Sequence, residues 1–279
     1  MKKTFLIPVA LCLLLVSCEK EIHFDFKNVE PYTVIEASVT QEGARARISR
    51  TVNMTAALDG SNYHTDAEIT LSGSDGTSAA FTAGEDGVFT APVEGVSGVS
   101  YTLTVRTAGK VHTSTSTMPE ITQVTDAGFY ISNILGVGMY TYDVETMAAP
   151  ADVREQFFFY RMFKGEKVQS WGISDNRFIT ERGTVLVTMP CSLKIEGVDD
   201  LGEEADDIVL RPGDEVTVEA YAIDKKTHAY LRSDQMTSRS RANTLPDFTE
   251  GALGYFSARA LLHRETVIFD PDNIHEKEY

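Results

Sequence analysis

The chain has 279 residues, with 41 Asp and Glu against 25 Lys and Arg, and a formal charge of −16 that argues against a protein wrapped on nucleic-acid phosphates. With 42% hydrophobic and 9% aromatic residues it holds enough apolar material for one large or two modest cores, which excludes a disordered acidic tail. Three cysteines, at positions 12, 18 and 191, resemble one disulfide and a spare, but two of them fall inside the first twenty residues.

Lys2 and Lys3 form a positive start, and Phe5 to Val16 is almost wholly apolar, about a dozen residues against the roughly 20 a spanning helix needs. Residues 1–17 therefore read as a signal peptide. The apolar run enters Leu15-Val16-Ser17-Cys18, which resembles the lipobox of bacterial lipoproteins. That resemblance implies cleavage after Ser17, a diacylglycerol thioether on Cys18 and acylation of its new amine; an ordinary secretory signal is the competing reading. At about 0.8 kcal/mol per buried CH₂, two or three acyl chains hold a protein to a bilayer almost irreversibly. Glu19-Lys20-Glu21 resembles the signal that sends lipoproteins of Bacteroidota to the outer face of the outer membrane, and reads equally as part of a solvated tether over 18–31. Cleavage would remove two lysines and no acid, leaving the mature chain more acidic still. With Cys18 lipidated, Cys191 is the only free thiol and no internal disulfide is expected.

From Tyr32 to Thr117 short runs rich in Val, Ile, Thr and Tyr are punctuated by Gly and Asp, without a sustained helical period. Strands are expected at 32–39, 45–52, 67–71, 79–81, 88–91, 100–107 and 111–117. Ser74-Asp75-Gly76 and Glu85-Asp86-Gly87 supply the turns. Tyr101, Leu103 and Val105 alternate with Thr102, Thr104 and Arg106, so one face of that strand belongs in a core. Seven strands over residues 32–118 fit an immunoglobulin-like sandwich. Pro119 cannot donate to a ladder, and a boundary is expected there, with a second β domain over 119–279. Its expected strands are 121–132, 139–144, 156–163, 184–189 and 214–223. Phe157-Phe158-Phe159-Tyr160 is apolar enough to be covered on both faces. One helix is expected, Lys225–Met236, capped by Asp224 and packing through Ala229, Tyr230 and Leu231. The fold class is all-β with one short helix.

Several segments together carry a resemblance: Ile35-Glu36-Ala37, Asp66-Ala67-Glu68-Ile69, Gly87-Val88-Phe89, Tyr101-Thr102-Leu103-Thr104-Val105 with Gly109-Lys110, and Thr249-Glu250-Gly251-Ala252-Leu253-Gly254-Tyr255-Phe256-Ser257-Ala258. The chain resembles a family of Bacteroidota outer-membrane lipoproteins catalogued as domain of unknown function 4249. Its most specific piece is Glu250 to Phe256, whose glycines would permit a tight bend before the last strand. The sequence departs from the family's acidic-Pro pair at Ala149-Pro150-Ala151-Asp152. The resemblance implies an envelope lipoprotein associated with TonB-dependent receptors, and no known reaction.

Chemistry-bearing patterns are sparse. The six histidines, at 23, 64, 112, 228, 263 and 275, are isolated, with no His-Glu-x-x-His and no Cys-x-x-Cys, so no metal or other cofactor is expected. The run from Asp199 to Asp207 places six carboxylates in nine residues, which suits Ca²⁺ in number but lacks the spacing that turns ligands inward; a solvated loop is the favoured reading. Gly95-Val96-Ser97-Gly98 is one residue short of a nucleophile elbow and reads as a turn. Cys191 reads as core. The chain is therefore expected to be non-enzymatic. Met139, Tyr140 and Tyr142, beside Gly136 and Gly138, and Trp171, placed on a loop, are the candidate binding residues, because large aromatics bring contact area at small entropy cost. Core packing is the competing reading for most of them. Capture of a ligand beside a TonB-dependent importer is the expected function, and a structural or adhesive surface role is the alternative.

Overall fold

The computed structural model describes residues 30–52, 60–134, 136–148, 155–177, 179–194, 209–240 and 245–274. Cys18, Glu19 to Glu21, His23, Ala149 to Asp152, the acidic run Asp199 to Asp207 and His275 lie outside the described residues. Among the described residues no helix is long and apolar enough to cross a membrane.

Eight strands build the first sandwich: β1 (Thr33–Thr40), β2 (Gly43–Arg50), β3 (Glu68–Gly73), β4 (Ser78–Ala80), β5 (Thr82–Ala83), β6 (Val88–Ala91), β7 (Ser100–Thr107) and β8 (Lys110–Thr117). The expected turns close them. The Asp75 carboxylate accepts the Thr77 N–H at 2.9 Å while Gly76 takes φ +92°, and Val88 N–H reaches Glu85 C=O over Asp86 and Gly87. Gly98 turns the chain at 95–98, where the Val96 N–H donates to the hydroxyl of buried Tyr101 at 2.8 Å. Tyr101, Leu103 and Val105 are fully buried, as their alternation requires, and join Ile35, Val39, Ile48 and Leu71 in the first core.

The second half adds β9 (Val124–Ile134), β10 (Val137–Met147), β11 (Phe157–Lys164), β12 (Lys167–Asp175), β13 (Thr184–Leu193), β14 (Glu215–Ile223), helix α1 (Lys225–Ser240), β15 (Leu253–Ala258) and β16 (Ala260–Ile268). A three-stranded sheet ordered β13-β10-β9 and a four-stranded sheet ordered β12-β11-β14-β16 enclose a second core around Tyr142, Val144, Phe158, Met162, Val187 and Val218. Phe158 enters that core while Phe159, one residue on, enters a third cluster on the opposite face with Tyr221, Ile223 and Leu231. The aromatic run is thus covered on both faces, as its composition predicts. Asp224 caps α1, its carboxylate accepting the Thr227 N–H at 2.7 Å.

The immunoglobulin-like sandwich is completed from far along the chain. Its larger sheet is ordered β15-β1-β2-β6-β5, and β15 runs parallel to β1 with Ile35 opposite Gly254 and Ala37 opposite Phe256. The chain then enters β16, which pairs with β14 in the second sandwich. Residues Pro31–Tyr279 accordingly form one compact unit. The bend expected at Glu250-Gly251 is present, both residues having positive φ, but two strands follow it where the sequence foresees one.

Candidate functional site

Two outer faces meet to make a groove of about 450 Å³. One wall is the outer face of β15-β1-β2, where strand alternation points Tyr255, Glu36 and Arg47 away from the core in a single cross-strand row. The other is the outer face of β12-β11-β14-β16, where Trp171, Arg161, Glu219 and Arg264 form a row across all four strands. Tyr230 and Leu231 of α1 line the groove between them.

The second row is tightly paired. Glu219 accepts from Arg161 Nη2 at 2.5 Å and from Arg264 Nε at 3.0 Å, and Arg264 also pairs with Glu42 of the β1–β2 turn. Burial raises the Glu219 pKa, but the adjacent Arg161 charge and its hydrogen bonds outweigh this and hold the carboxyl below its ordinary value. The Tyr230 phenol is pushed up to about 12, first by burial and then by Asp234 and Glu36, so it stays a protonated donor.

Arg259 differs from Arg161 and Arg264. It stands between β15 and β16, is only 5% exposed and lines the groove. Its guanidinium lies 4.5 Å from the Phe159 ring centre and donates from Nη2 to the Tyr255 hydroxyl at 2.8 Å. Its Nε is buried without a hydrogen-bond partner. Among the described residues no carboxylate lies within 4.0 Å of it.

The four aromatic and Met candidates separate. Trp171 is 38% exposed and lines the groove, but it stands in the middle of strand β12 and not on a loop; Gln169 and Ser170 before it bond to the neighbouring β13 carbonyls. Tyr142 is fully buried: its ring packs edge-on against Phe129 at 5.1 Å and its hydroxyl donates to Glu265. It offers no contact surface. Tyr140 is half-buried against Phe269 at 5.1 Å, and Met139 is half-buried opposite Leu193; neither lines the groove. Cys191 is buried, its thiol pushed up by desolvation and its Sγ donating to Met189 C=O. Among the described residues no cluster of His, Cys, Asp or Glu has the makings of a metal site.

No motif or spacing in the sequence marks Arg259. Its signal was a lone charge in Tyr255-Phe256-Ser257-Ala258-Arg259-Ala260-Leu261-Leu262, where a strand pair otherwise buries every side chain it can.

A comparison with curated proteins found no match. Among solved structures, a two-domain fibronectin type-III segment from chicken tenascin is similar at 12% identity over 86% of this chain and 99% of that one, with a TM-score of 0.22. The sequence family described as Domain of unknown function (DUF4249) matches residues 19–260, which is most of the chain, and the chain belongs to that family.

Proposed function

We propose that this protein is a non-enzymatic lipoprotein of the outer membrane, held through lipid on Cys18, that captures a ligand for a TonB-dependent importer. The observation that supports capture most directly is the groove itself: an exposed Trp171 facing a concave space shared with Tyr230, Tyr255 and a buried Arg259. Ligand sites of a few hundred Å³ combine apolar rings with placed polar groups; this groove has the rings and is richer than most in charge, with Glu36, Asp234 and four arginines in its lining. The lipobox at Leu15 to Cys18 and the acidic residues behind it support the anchor and the outer face of the membrane. The family resemblance of the sequence supports a TonB-dependent importer as the partner.

The test is purification from membranes in mild detergent, comparing the wild type with Trp171→Ala. Both should retain a large receptor barrel, whereas the variant should lose bound ligand by about thirty-fold, the equivalent of about 2 kcal/mol for an aromatic anchor. Recovery of fibres or host-matrix partners without a barrel would replace this reading with a structural or adhesive one.

A further inference from the structure

Five arginines stand at the groove or on its walls, and three of them, Arg161, Arg264 and Arg259, differ in how their charge is met. Arg161 and Arg264 share the Glu219 carboxylate, the ordinary way to keep guanidinium charge out of water. Arg259 is more deeply buried than either and has no such partner among the described residues. Its contacts with Phe159 and the Tyr255 hydroxyl are attractive but leave the charge uncompensated and one N–H without an acceptor. A buried charge without a counter-charge is expensive to keep unless something else supplies that charge.

The rest of the lining agrees in sign. Arg45 and Arg47 project from β2 at the same groove, against Glu36 and Asp234. With Arg161 already paired to Glu219, this leaves the groove's free charge positive in a chain whose formal charge is −16. Rings flank Arg259 on both walls: Tyr230 and Tyr255 stand 5.2 Å apart, and Trp171 lies 6.3 Å from Phe159, the ring beneath Arg259.

We propose that the groove binds an anionic ligand, whose carboxylate, sulfate or phosphate group supplies the missing partner of Arg259 and whose ring or flat face rests on Trp171. This rests on the ligand-capture reading and names the class of ligand that the same site takes. Guanidinium suits all three anions because its planar fork donates to two oxygens at once.

Trp171 is the only tryptophan in the sequence, so the emission of the intact lipoprotein in detergent reports the groove directly. Benzoate, phenyl sulfate and phenyl phosphate are titrated against benzyl alcohol, with inorganic sulfate as the arm that lacks a ring. The aromatic anions should shift Trp171 emission saturably and bind at least about ten-fold more tightly than benzyl alcohol, since a charge-assisted hydrogen bond in a buried site carries about that difference. Inorganic sulfate should bind more weakly than phenyl sulfate. Arg259→Gln, with folding checked by circular dichroism, should abolish the preference for anions. Equal affinity for benzoate and benzyl alcohol in the wild type would overturn the proposal whether or not the variant folds, and would leave ligand capture standing. A folded Arg259→Gln protein that still prefers anions, or the absence of any response to the anions, would overturn it as well. Failure of the capture reading shows itself separately, in the partners retained from membranes.

Discussion

Gly254 shows how one missing side chain sets the architecture. It holds φ +95°, and a Cβ there would lie 2.0 Å from the carbonyl oxygen of Ile35, its partner across the parallel pairing of β15 with β1. No rotation of a side chain relieves a clash between Cβ and backbone, and the left-handed conformation adds strain of its own. Tyr255, the next residue, is thereby seated beside Glu36 on the groove wall. Gly254→Ala should lower stability by about 2–3 kcal/mol or more, read as the shift of a denaturant midpoint. An unchanged midpoint would mean that β15 does not dock on β1.

Strands whose residues contradict their apparent faces carry the clearest lesson among the elements. In β8 the apolar Val111 is exposed while His112, Ser114 and Ser116 are buried. Their partners come from the far end of the chain: Thr249 C=O lies 3.1 Å from His112 Nδ1, and the hydroxyls of Ser114 and Ser116 donate to Asp247 and Asp224 at 2.9 and 2.7 Å. Asp247 also accepts the Phe256 N–H at 2.7 Å and pairs with Lys226 at 2.5 Å, so one carboxylate joins β8, β15 and α1. In the second sandwich, Glu219 serves three strands, and its lowered pKa has a pH consequence. Because the folded value lies below the unfolded one, the unfolded chain binds more protons as the pH falls. The stabilisation is complete above the ordinary glutamate value of roughly 4.3 and is lost as pH drops through the lower native value. Glu219→Gln should therefore cost about 2 kcal/mol at neutral pH, with the gap to wild type closing in acid. Melting curves from neutral to acid pH read this, and a gap that stays constant would show that ionisation of Glu219 contributes nothing.

For the whole molecule, the order of elements along the chain ties the sandwiches together. After β14 in the second sandwich, the chain passes through α1 to β15 in the first and returns to β16 in the second. A fragment of residues 32–118 would contain β1 to β8 but would lack β15, the Asp247 and Asp224 carboxylates, and the Thr249 carbonyl. Its buried serines and His112 would have no partners, at about 1–3 kcal/mol each, so it should accumulate poorly or melt far below residues 31–279. Equal melting temperatures would show that the first sandwich is self-sufficient. At the level of the cell, Cys18→Ala should leave the precursor uncleaved and unlipidated, because no other thiol stands at that junction; fractionation and intact mass check it, and normal processing with membrane retention would remove the lipid anchor from the proposed function.

Signals that are local in the chain were legible without a fold. Period-two alternation identified β7, turn chemistry placed the Asp75-Gly76 and Asp86-Gly87 corners, Asp224 announced the helix, and the doubly apolar Phe157 to Tyr160 announced a strand between two packed layers. Each depends only on neighbouring residues and on the fixed period of a strand or helix. Trp171 was legible as a candidate by type, though its strand was not, because Lys167 to Asp175 mixes polar and apolar residues at the edge of a sheet. What tertiary structure alone decided was the role of residues whose partners lie more than a hundred positions away. Tyr142 became core because the sheet carrying Glu265 and His263 closes over it. His112, Ser114 and Ser116 became interior because Asp247 and Asp224 arrive to satisfy them. Arg259 became the centre of a groove because a parallel strand and a helix bring β1, β11 and β12 around it, and long-range burial of a charge has no period for a sequence to display.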